Sequence, residues 1–172
     1  MPNLLIVGPG GIGSAIAREQ HARGWGITLL GRSGERIAAV AAGLPGCTTQ
    51  VSDPTDIDGL PACAPALHEL RPDGFQAVVC AVGSVLLQPS QRISAAAWRA
   101  VMAANLDAAF ATLRLAIELM PNGGSVLLFS SGGFYAGPCR RIPRAGQRLL
   151  GKSSVFRVAK WRLGFLWKPS AD

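Results

Sequence analysis

The chain opens with the feature that most constrains its fold, a short apolar run that ends in a glycine-rich turn and passes directly into a helical pattern. Residues 4–7 are all aliphatic, residues 8–13 contain four glycines, and small apolar residues then recur at helical spacing to about residue 23. A continuous aliphatic run of this length is typical of a parallel strand that is buried on both faces. The pattern therefore predicts a strand, a tight turn and a helix, which together begin a βαβ unit.

The glycines of this turn match the spacing G-x-G-x-x-G at Gly8, Gly10 and Gly13. Between a strand and a helix, the first glycine permits the tight turn, the second lets a pyrophosphate approach the backbone, and the third lets the helix pack closely on the strand. Free N–H groups and the helix dipole favour phosphate at the start of the helix. We therefore predict a dinucleotide site formed by the residues of this loop: Gly8, Gly10, Gly11, Ile12 and Gly13. The alternative is a glycine-rich turn that binds no ligand.

The residues after the second predicted strand bear on the choice of dinucleotide. Residues 27–30 form an apolar run, and residues 31–33 include Arg32 but no acid. An NAD site usually has an acidic residue here for the ribose 2′-hydroxyl, whereas an arginine accommodates the 2′-phosphate of NADP. Arg32 therefore favours NADP over NAD. A solvated arginine that contacts no ligand is the alternative.

Strand-like and helix-like segments alternate through the rest of the first 137 residues. Further strands are predicted near residues 48–51, 75–82 and 125–129, and further helices over residues 35–42, 53–70 and 94–120. Ser94 is a suitable N-cap for the longest of these helices. Alternation of this kind predicts an α/β fold with a Rossmann-type doubly wound parallel sheet.

Five stretches, taken together and in order, resemble the short-chain dehydrogenase/reductase family over residues 3–137. They are the glycine loop, one residue shorter than the family's T-G-x-x-x-G-I-G; residues 53–56, similar to D-V-T-D; residues 80–83, at the position of N-N-A-G; Asn105 in the long helix; and residues 126–131, at the position of the fifth strand and its catalytic serine. The resemblance implies a Rossmann-type fold, truncated here at the C-terminal end. It also implies an NAD(P)-dependent oxidoreductase that transfers hydride between the nicotinamide and a small carbonyl or alcohol substrate.

The same resemblance implies roles for individual residues. Ser131 would hold the substrate oxygen by a hydrogen bond, and Asn105 would kink the long helix and anchor a water molecule in a proton relay. Asp53 would lie near the adenine, and the residues after the fourth strand would line the cofactor: Ala81, Val82 and Gly83. In this family the long helix commonly packs against a second subunit, so the resemblance favours a homo-oligomer.

One part of the family's machinery is missing from the sequence. The family places Tyr-x-x-x-Lys after the serine, and the tyrosine acts as the general acid/base. The single tyrosine of this chain, Tyr135, follows Ser131 by four residues and has Cys139 at the lysine position. Lys152 has Arg148 at the tyrosine position. Three interpretations stay open: an oxidoreductase by descent, a dinucleotide-binding protein without turnover, and an unstable fragment.

Positive charge is concentrated in the last fifth of the chain. Residues 1–139 contain eight arginines and nine acids, a net charge of −1, whereas residues 140–172 contain nine basic residues and one acid, a net charge of +8. We therefore divide the chain into a dinucleotide-binding domain, residues 1–137, and a basic tail, residues 138–172. A shift of reading frame near residue 138 is one hypothesis for this change. A basic amphipathic helix that binds an anionic membrane surface or nucleic acid is the other.

The remaining features favour a cytoplasmic protein. Four cysteines are scattered without a C-x-x-C pair, which argues against a zinc site and against a disulfide scaffold. The first residues lack the basic start of a secretory signal, and Arg114 and Glu118 interrupt the longest apolar helix. We therefore expect buried free thiols, no metal, no nucleic-acid partner and no stable membrane insertion.

Overall fold

The computed structural model describes residues 1–131 and 156–162, which form a six-stranded sheet flanked by helices. The strands are β1 (Asn3–Val7), β2 (Gly26–Gly31), β3 (Thr48–Val51), β4 (Ala77–Cys80), β5 (Ser125–Ser131) and β6 (Phe156–Arg162). The helices are α1 (Gly11–Ala22), α2 (Gly34–Ala41), α3 (Ala64–Leu70), α4 (Ala95–Met102) and α5 (Ala108–Leu119). Short 3-10 turns precede α3 and α4, and a π-helical segment, Ala103–Asp107, joins α4 to α5.

The sheet has the strand order β3-β2-β1-β4-β5-β6, and its first five strands are parallel. Each parallel connection crosses through helical structure, as parallel pairing requires. The prediction of a Rossmann-type doubly wound sheet is therefore confirmed. The predicted bounds of β3 agree with the structure, whereas β4 is shorter than predicted and β5 extends to Ser131.

Every residue of β1 and β2 is buried, so the core lies on both faces of the sheet. Side chains of a strand alternate between the two faces. Leu5 accordingly packs in a cluster with Leu67 of α3 and Leu115 of α5. Ile6 packs in a second cluster with Ile37 of α2 and Ala17 of α1. This two-sided burial is why the strand sequences read as continuous aliphatic runs.

The basic tail contributes a strand where we expected none. β6 pairs antiparallel with β5, from Ser125 opposite Arg162 to Ser131 opposite Phe156. The hypothesis of an amphipathic helix is therefore wrong for residues 156–162, and this segment covers the edge of β5. The unpaired N–H and C=O groups of a strand edge favour pairing with any adjacent extended segment, and this segment contains Phe156, Val158 and Trp161, residue types that favour strands.

The helix predicted over residues 53–70 begins only at Ala64. Asp53 and Asp56 use their carboxylates to accept backbone N–H groups two or three residues ahead, which forms turns instead of a helix. Pro61 then starts the short 3-10 turn that leads into α3. The predicted N-cap of the long helix is confirmed, because Ser94 Oγ accepts the N–H of Ala97 at 3.1 Å.

The bulky apolar residues on one side of the long helix are exposed. Trp98, Leu106, Phe110 and Ile117 have more than half of their surface accessible, and we call them the apolar stripe. On the opposite side, alanines and leucines of α5 pack in the core, whereas α4 has no buried residue. Trp98 is therefore not a core residue.

Taken as one helix of 25 residues, Ala95–Leu119 is long and apolar enough to cross a membrane by length and composition alone. Core helices of soluble proteins meet the same test, and one side of the α5 part of this helix packs in the core. The absence of stable membrane insertion stays a prediction.

Candidate cofactor site

The candidate site lies at the carboxyl edge of the parallel sheet, between β1 and β4. Val7 at the end of β1 pairs with Leu30 of β2 and with Cys80 of β4. The loops after these three strands therefore leave the same edge. The chain passes from β1 outward to β2 and from β4 outward to β5, in opposite directions. Ligands of doubly wound sheets bind in the crevice where the direction reverses in this way.

Two glycines of the loop are required by packing. Gly8 has a φ of 84°, and a Cβ built on it would lie 2.6 Å from Cγ2 of Val82. A Cβ on Gly13 would overlap the carbonyl oxygen of Gly8 and lie 3.2 Å from Cγ2 of Ile6. The first glycine therefore makes the turn beside β4, and the third lets α1 pack on β1, as the spacing predicted.

Gly10 and Gly11, in contrast, face open space, with no atom within 4 Å of a Cβ built on either residue. Gly10 is the N-cap of α1, no side chain caps this helix, and Ser14 N–H donates to the Gly10 carbonyl at 2.8 Å. The Gly10 N–H already donates to the Gly8 carbonyl at 2.8 Å, so the N–H groups without an acceptor in the helix are those of the next three residues. A pyrophosphate needs backbone donors that no side chain covers. The residues present thus fit the phosphates of a dinucleotide, and the partly exposed Ile12 borders the same opening.

Arg32 follows β2 at this edge. It is exposed, and it has no ion-pair partner within the part of the chain that the structure describes. The next residue, Ser33, caps α2 by accepting the N–H of Arg36 at 3.3 Å. A guanidinium without an internal partner is available to a phosphate. The preference for NADP over NAD stays a prediction that rests on this residue.

Asp53 follows β3 at the same edge and is exposed. Its Oδ1 accepts both the N–H and the hydroxyl of Thr55, at 2.9 and 2.8 Å. One carboxylate oxygen is thus used to order its own turn. The structure brings Asp53, Arg32 and the glycine loop to the carboxyl edge of the sheet, which no local pattern in the sequence required.

The end of β4 forms the opposite wall of the crevice. Ala81 N–H donates to the carbonyl of Val7 at 2.8 Å, which holds the β4 loop against β1. Val82 contacts the glycine loop, as noted above, and a Cβ built on Gly83 would lie 3.2 Å from Oδ1 of Asn105. Ala81 and Val82 therefore lie beside Gly8 of the loop that would hold the phosphates, whereas Gly83 lies beside Asn105.

Asn105 lies in the π-helical segment and connects it to the β4 loop. Its Nδ2 donates to the carbonyls of Ser84 at 2.9 Å and Val101 at 2.8 Å, and its Oδ1 accepts the Ser84 N–H at 3.3 Å. The π-helical segment is a departure from α geometry at the residue predicted to kink the helix. Sequence reasoning missed Ser84, and no signal pointed to it because its backbone makes the main contacts.

Ser131 is the last residue of β5, and its backbone lies at the carboxyl edge where the other candidate residues meet. Its catalytic role stays a prediction. Tyr135, Cys139, Arg148 and Lys152 lie outside the described residues.

The described cysteines are free. Cys80 is buried, as predicted, whereas Cys47 and Cys63 are half-buried. Burial raises the pKa of the Cys47 thiol, and the nearby Arg71 guanidinium partly opposes that shift. No cluster of three or more potential metal ligands occurs among residues 1–131 and 156–162.

The sequence model of the family described as enoyl-(acyl carrier protein) reductase matches residues 7–138 of this chain. That match spans most of the chain. Among curated proteins, none matches the chain significantly in sequence.

Several solved structures share the fold. A protein described as a short-chain alcohol dehydrogenase from Sinorhizobium meliloti superposes with a TM-score of 0.71 at 24% identity, over 80% of this chain and 57% of that one. A short-chain type dehydrogenase/reductase from Mycobacterium ulcerans gives 0.66 at 23% identity, over 73% and 49% of the two chains.

An alcohol dehydrogenase from the archaeon Thermococcus sibiricus, solved in complex with 5-hydroxy-NADP, gives a TM-score of 0.66 at 22% identity, over 71% of this chain and 54% of that one. This chain thus spans about half the length of the structures that it resembles. A family model matches the chain from β1 to beyond β5, and the chain shares its fold with these solved structures. The chain therefore belongs to the short-chain dehydrogenase/reductase family.

Proposed function

We propose that this chain binds NADP in the crevice between β1 and β4 and acts as an oxidoreductase on a small carbonyl or alcohol substrate. The observation that carries the proposal is the open space in front of Gly10, at the uncapped start of α1. A pyrophosphate at this point would accept backbone N–H groups that have no partner within the helix. The family's place among NAD(P)-dependent enzymes supports the same ligand.

NADP is proposed in preference to NAD because Arg32 occupies the position after β2. The residues on either side, Gly31 and Ser33, are uncharged, so no acid is present to bind a ribose 2′-hydroxyl or to repel a 2′-phosphate. A charge-assisted hydrogen bond between a guanidinium and a phosphate contributes more than a neutral one. The solved relative that carries an NADP derivative supports the class of ligand and not this preference.

When bound, the nicotinamide would supply or accept the hydride. In this proposal the Ser131 hydroxyl donates a hydrogen bond to the substrate oxygen. Asn105 keeps the β4 loop in place beside the nicotinamide half of the cofactor, through the backbone of Ser84. A proton must still reach or leave the substrate oxygen, and a tyrosine needs a lowered pKa to do this near neutral pH. No tyrosine in the sequence has a lysine four residues later.

Two measurements on the purified chain test the proposal. Titration with NADPH, followed by its fluorescence, should show saturable binding that competes with NADP. Loss of NADPH absorbance in the presence of a panel of aldehydes and ketones should show turnover. If the chain binds neither NADPH nor NADH, the proposal as a whole is overturned.

Binding without turnover is the second candidate function. The observation that favours it is the position of Tyr135, four residues after Ser131 and without a lysine partner at Cys139. Saturable NADPH binding with no carbonyl reduction by any member of the panel would select this function. Measurable NADPH oxidation that depends on the carbonyl substrate would select the oxidoreductase.

The apolar stripe supports a homo-oligomer. Trp98, Leu106, Phe110 and Ile117 expose bulky apolar surface along one long helix, and a second copy of that helix would cover it. The free thiols of Cys47, Cys63 and Cys80 favour a reducing compartment, and we propose the cytoplasm.

A further inference from the structure

Arg114 lies on α5, far from the glycine loop in the sequence, yet it contacts the loop that follows β3. Its Nη1 donates to the carbonyl oxygen of Ile57 at 2.8 Å and to Oδ1 of Asp58 at 2.7 Å. These contacts join residues that are more than fifty positions apart in the chain. The loop between β3 and α3 is therefore fastened from outside by a helix on the face of the sheet.

The two ends of the loop are held separately, by the Ser52 N–H, which donates to the Gly31 carbonyl at 3.0 Å, and by the buried Leu60. Between these ends, acidic side chains order the loop. Asp53 Oδ1 accepts two hydrogen bonds from Thr55. Asp56 Oδ1 accepts the N–H groups of Asp58 and Gly59, at 3.2 and 2.9 Å. The second of these turns includes the residues that Arg114 holds. The Asp56 N–H donates to the Asp53 carbonyl at 3.2 Å, so a backbone hydrogen bond joins the turn that Arg114 holds to Asp53.

The two contacts of Arg114 differ in weight. The Asp58 side chain is 91% exposed and that of Arg114 is 42% exposed, so their ion pair is screened by water and contributes little. The hydrogen bond to the Ile57 carbonyl is charge-assisted and fixes the backbone itself. Removal of the guanidinium should therefore matter more than removal of the Asp58 charge.

We propose that Arg114 is a positioning residue for the adenine end of the cofactor site, and that it acts by holding the Asp53 loop at the carboxyl edge of β3. This inference rests on the proposed function, since it requires the dinucleotide to reach Asp53. It extends the site to a side chain on α5 that contacts neither the glycine loop nor Arg32.

The test compares Arg114→Met, which keeps the apolar stem and removes the donors, with Arg99→Met as a matched control. Arg99 is an exposed arginine on α4 for which the described residues show no ion pair. Arg114→Lys restores a cation that can reach a backbone carbonyl, and Asp58→Asn removes the ion pair alone. Each variant is measured for its urea midpoint, so that global destabilisation is recognised.

Hydrogen exchange without ligand is the first readout. In Arg114→Met the amides of Asp58 and Gly59 should exchange faster than in the unmodified chain, while those of β1 stay protected. The second readout is affinity for adenosine 2′,5′-bisphosphate and for reduced nicotinamide mononucleotide, which represent the two halves of NADPH. We expect Arg114→Met to weaken the first by about three- to tenfold and to leave the second unchanged. Arg114→Lys should recover most of the loss, and Asp58→Asn and Arg99→Met should lose less than about twofold.

The outcomes separate this inference from the proposed function. If the unmodified chain binds neither NADPH nor the bisphosphate, the proposed function fails and the positioning role fails with it. If the unmodified chain binds both ligands and Arg114→Met binds the bisphosphate equally well, the positioning role alone is overturned. Equal losses for both halves of the cofactor, with a lower urea midpoint, would also overturn it, because they indicate a general loss of stability.

Discussion

Gly10 and Gly13 differ by three positions in one loop, and the structure predicts opposite consequences for adding a methyl group to each. At Gly13 the new Cβ would overlap the Gly8 carbonyl oxygen, a backbone atom that cannot move without shifting β1 or α1. At Gly10 the new Cβ would meet nothing within 4 Å. The φ of −75° at Gly10 suits alanine. Gly13→Ala should therefore disturb folding, and Gly10→Ala should disturb ligand binding alone.

The magnitudes follow from packing and capping energies. Forcing an extra methyl group into a close contact typically costs about 1–3 kcal/mol, and we take about 2 kcal/mol for Gly13→Ala. With a urea m-value of about 2 kcal/mol per molar, the unfolding midpoint should fall by about 1 M. Gly10→Ala lowers the free energy of unfolding because alanine is a poorer N-cap than glycine, and raises it because the unfolded chain becomes less flexible. The two effects nearly cancel, at about 0.5–1 kcal/mol each. Its midpoint should stay within about 0.5 M of the unmodified chain.

Urea unfolding followed by tryptophan fluorescence measures the first effect, and NADPH titration measures the second. Gly10→Ala should lose at least about tenfold in affinity, because its methyl group would stand between the phosphates and the N–H groups of α1. Equal midpoints for the two variants would refute the packing argument for Gly13. Full NADPH affinity in Gly10→Ala would refute the position that we assign to the pyrophosphate.

Three further predictions concern other parts of the chain. Arg32→Ala should reduce the ratio of NADPH to NADH affinity by about tenfold or more, since a charge-assisted bond to the 2′-phosphate is lost; an unchanged ratio in paired titrations would remove Arg32 from the site. Phe110→Glu should shift the chain to a monomer in sedimentation velocity, because it places a carboxylate in the apolar stripe; a monomeric unmodified chain would contradict the homo-oligomer. Burial raises the pKa of Cys47, so the folded chain favours the neutral thiol. The contribution of this group to the free energy of unfolding is therefore lost as the pH rises through the pKa of the folded state. Iodoacetamide labelling of Cys47, followed by mass spectrometry, should therefore need a higher pH in the folded chain than in urea, and coincident pH profiles would exclude the shift.

The sequence by itself determined the parts of the fold that depend on near neighbours. The aliphatic run of β1, the turn at Gly8 and the small residue at Gly13 predicted a βαβ unit, and all three are found there. The N-cap at Ser94 was also readable, since it involves residues three positions apart. Periodicity and conformational preference act over a few residues, so a linear sequence displays them directly.

Tertiary structure alone decided how the candidate site is supported. Asn105 holds Ser84 across 21 positions, Arg114 holds Ile57 across 57 positions, and β5 takes β6 from the basic tail as its neighbour. Each contact involves backbone groups, which every residue carries, so no side-chain pattern marks the partner in advance. The order of the strands brings these groups together at the carboxyl edge of the sheet. The glycine loop can thus be predicted from the sequence, whereas the helix residues that hold the surrounding loops can be identified only from the tertiary structure.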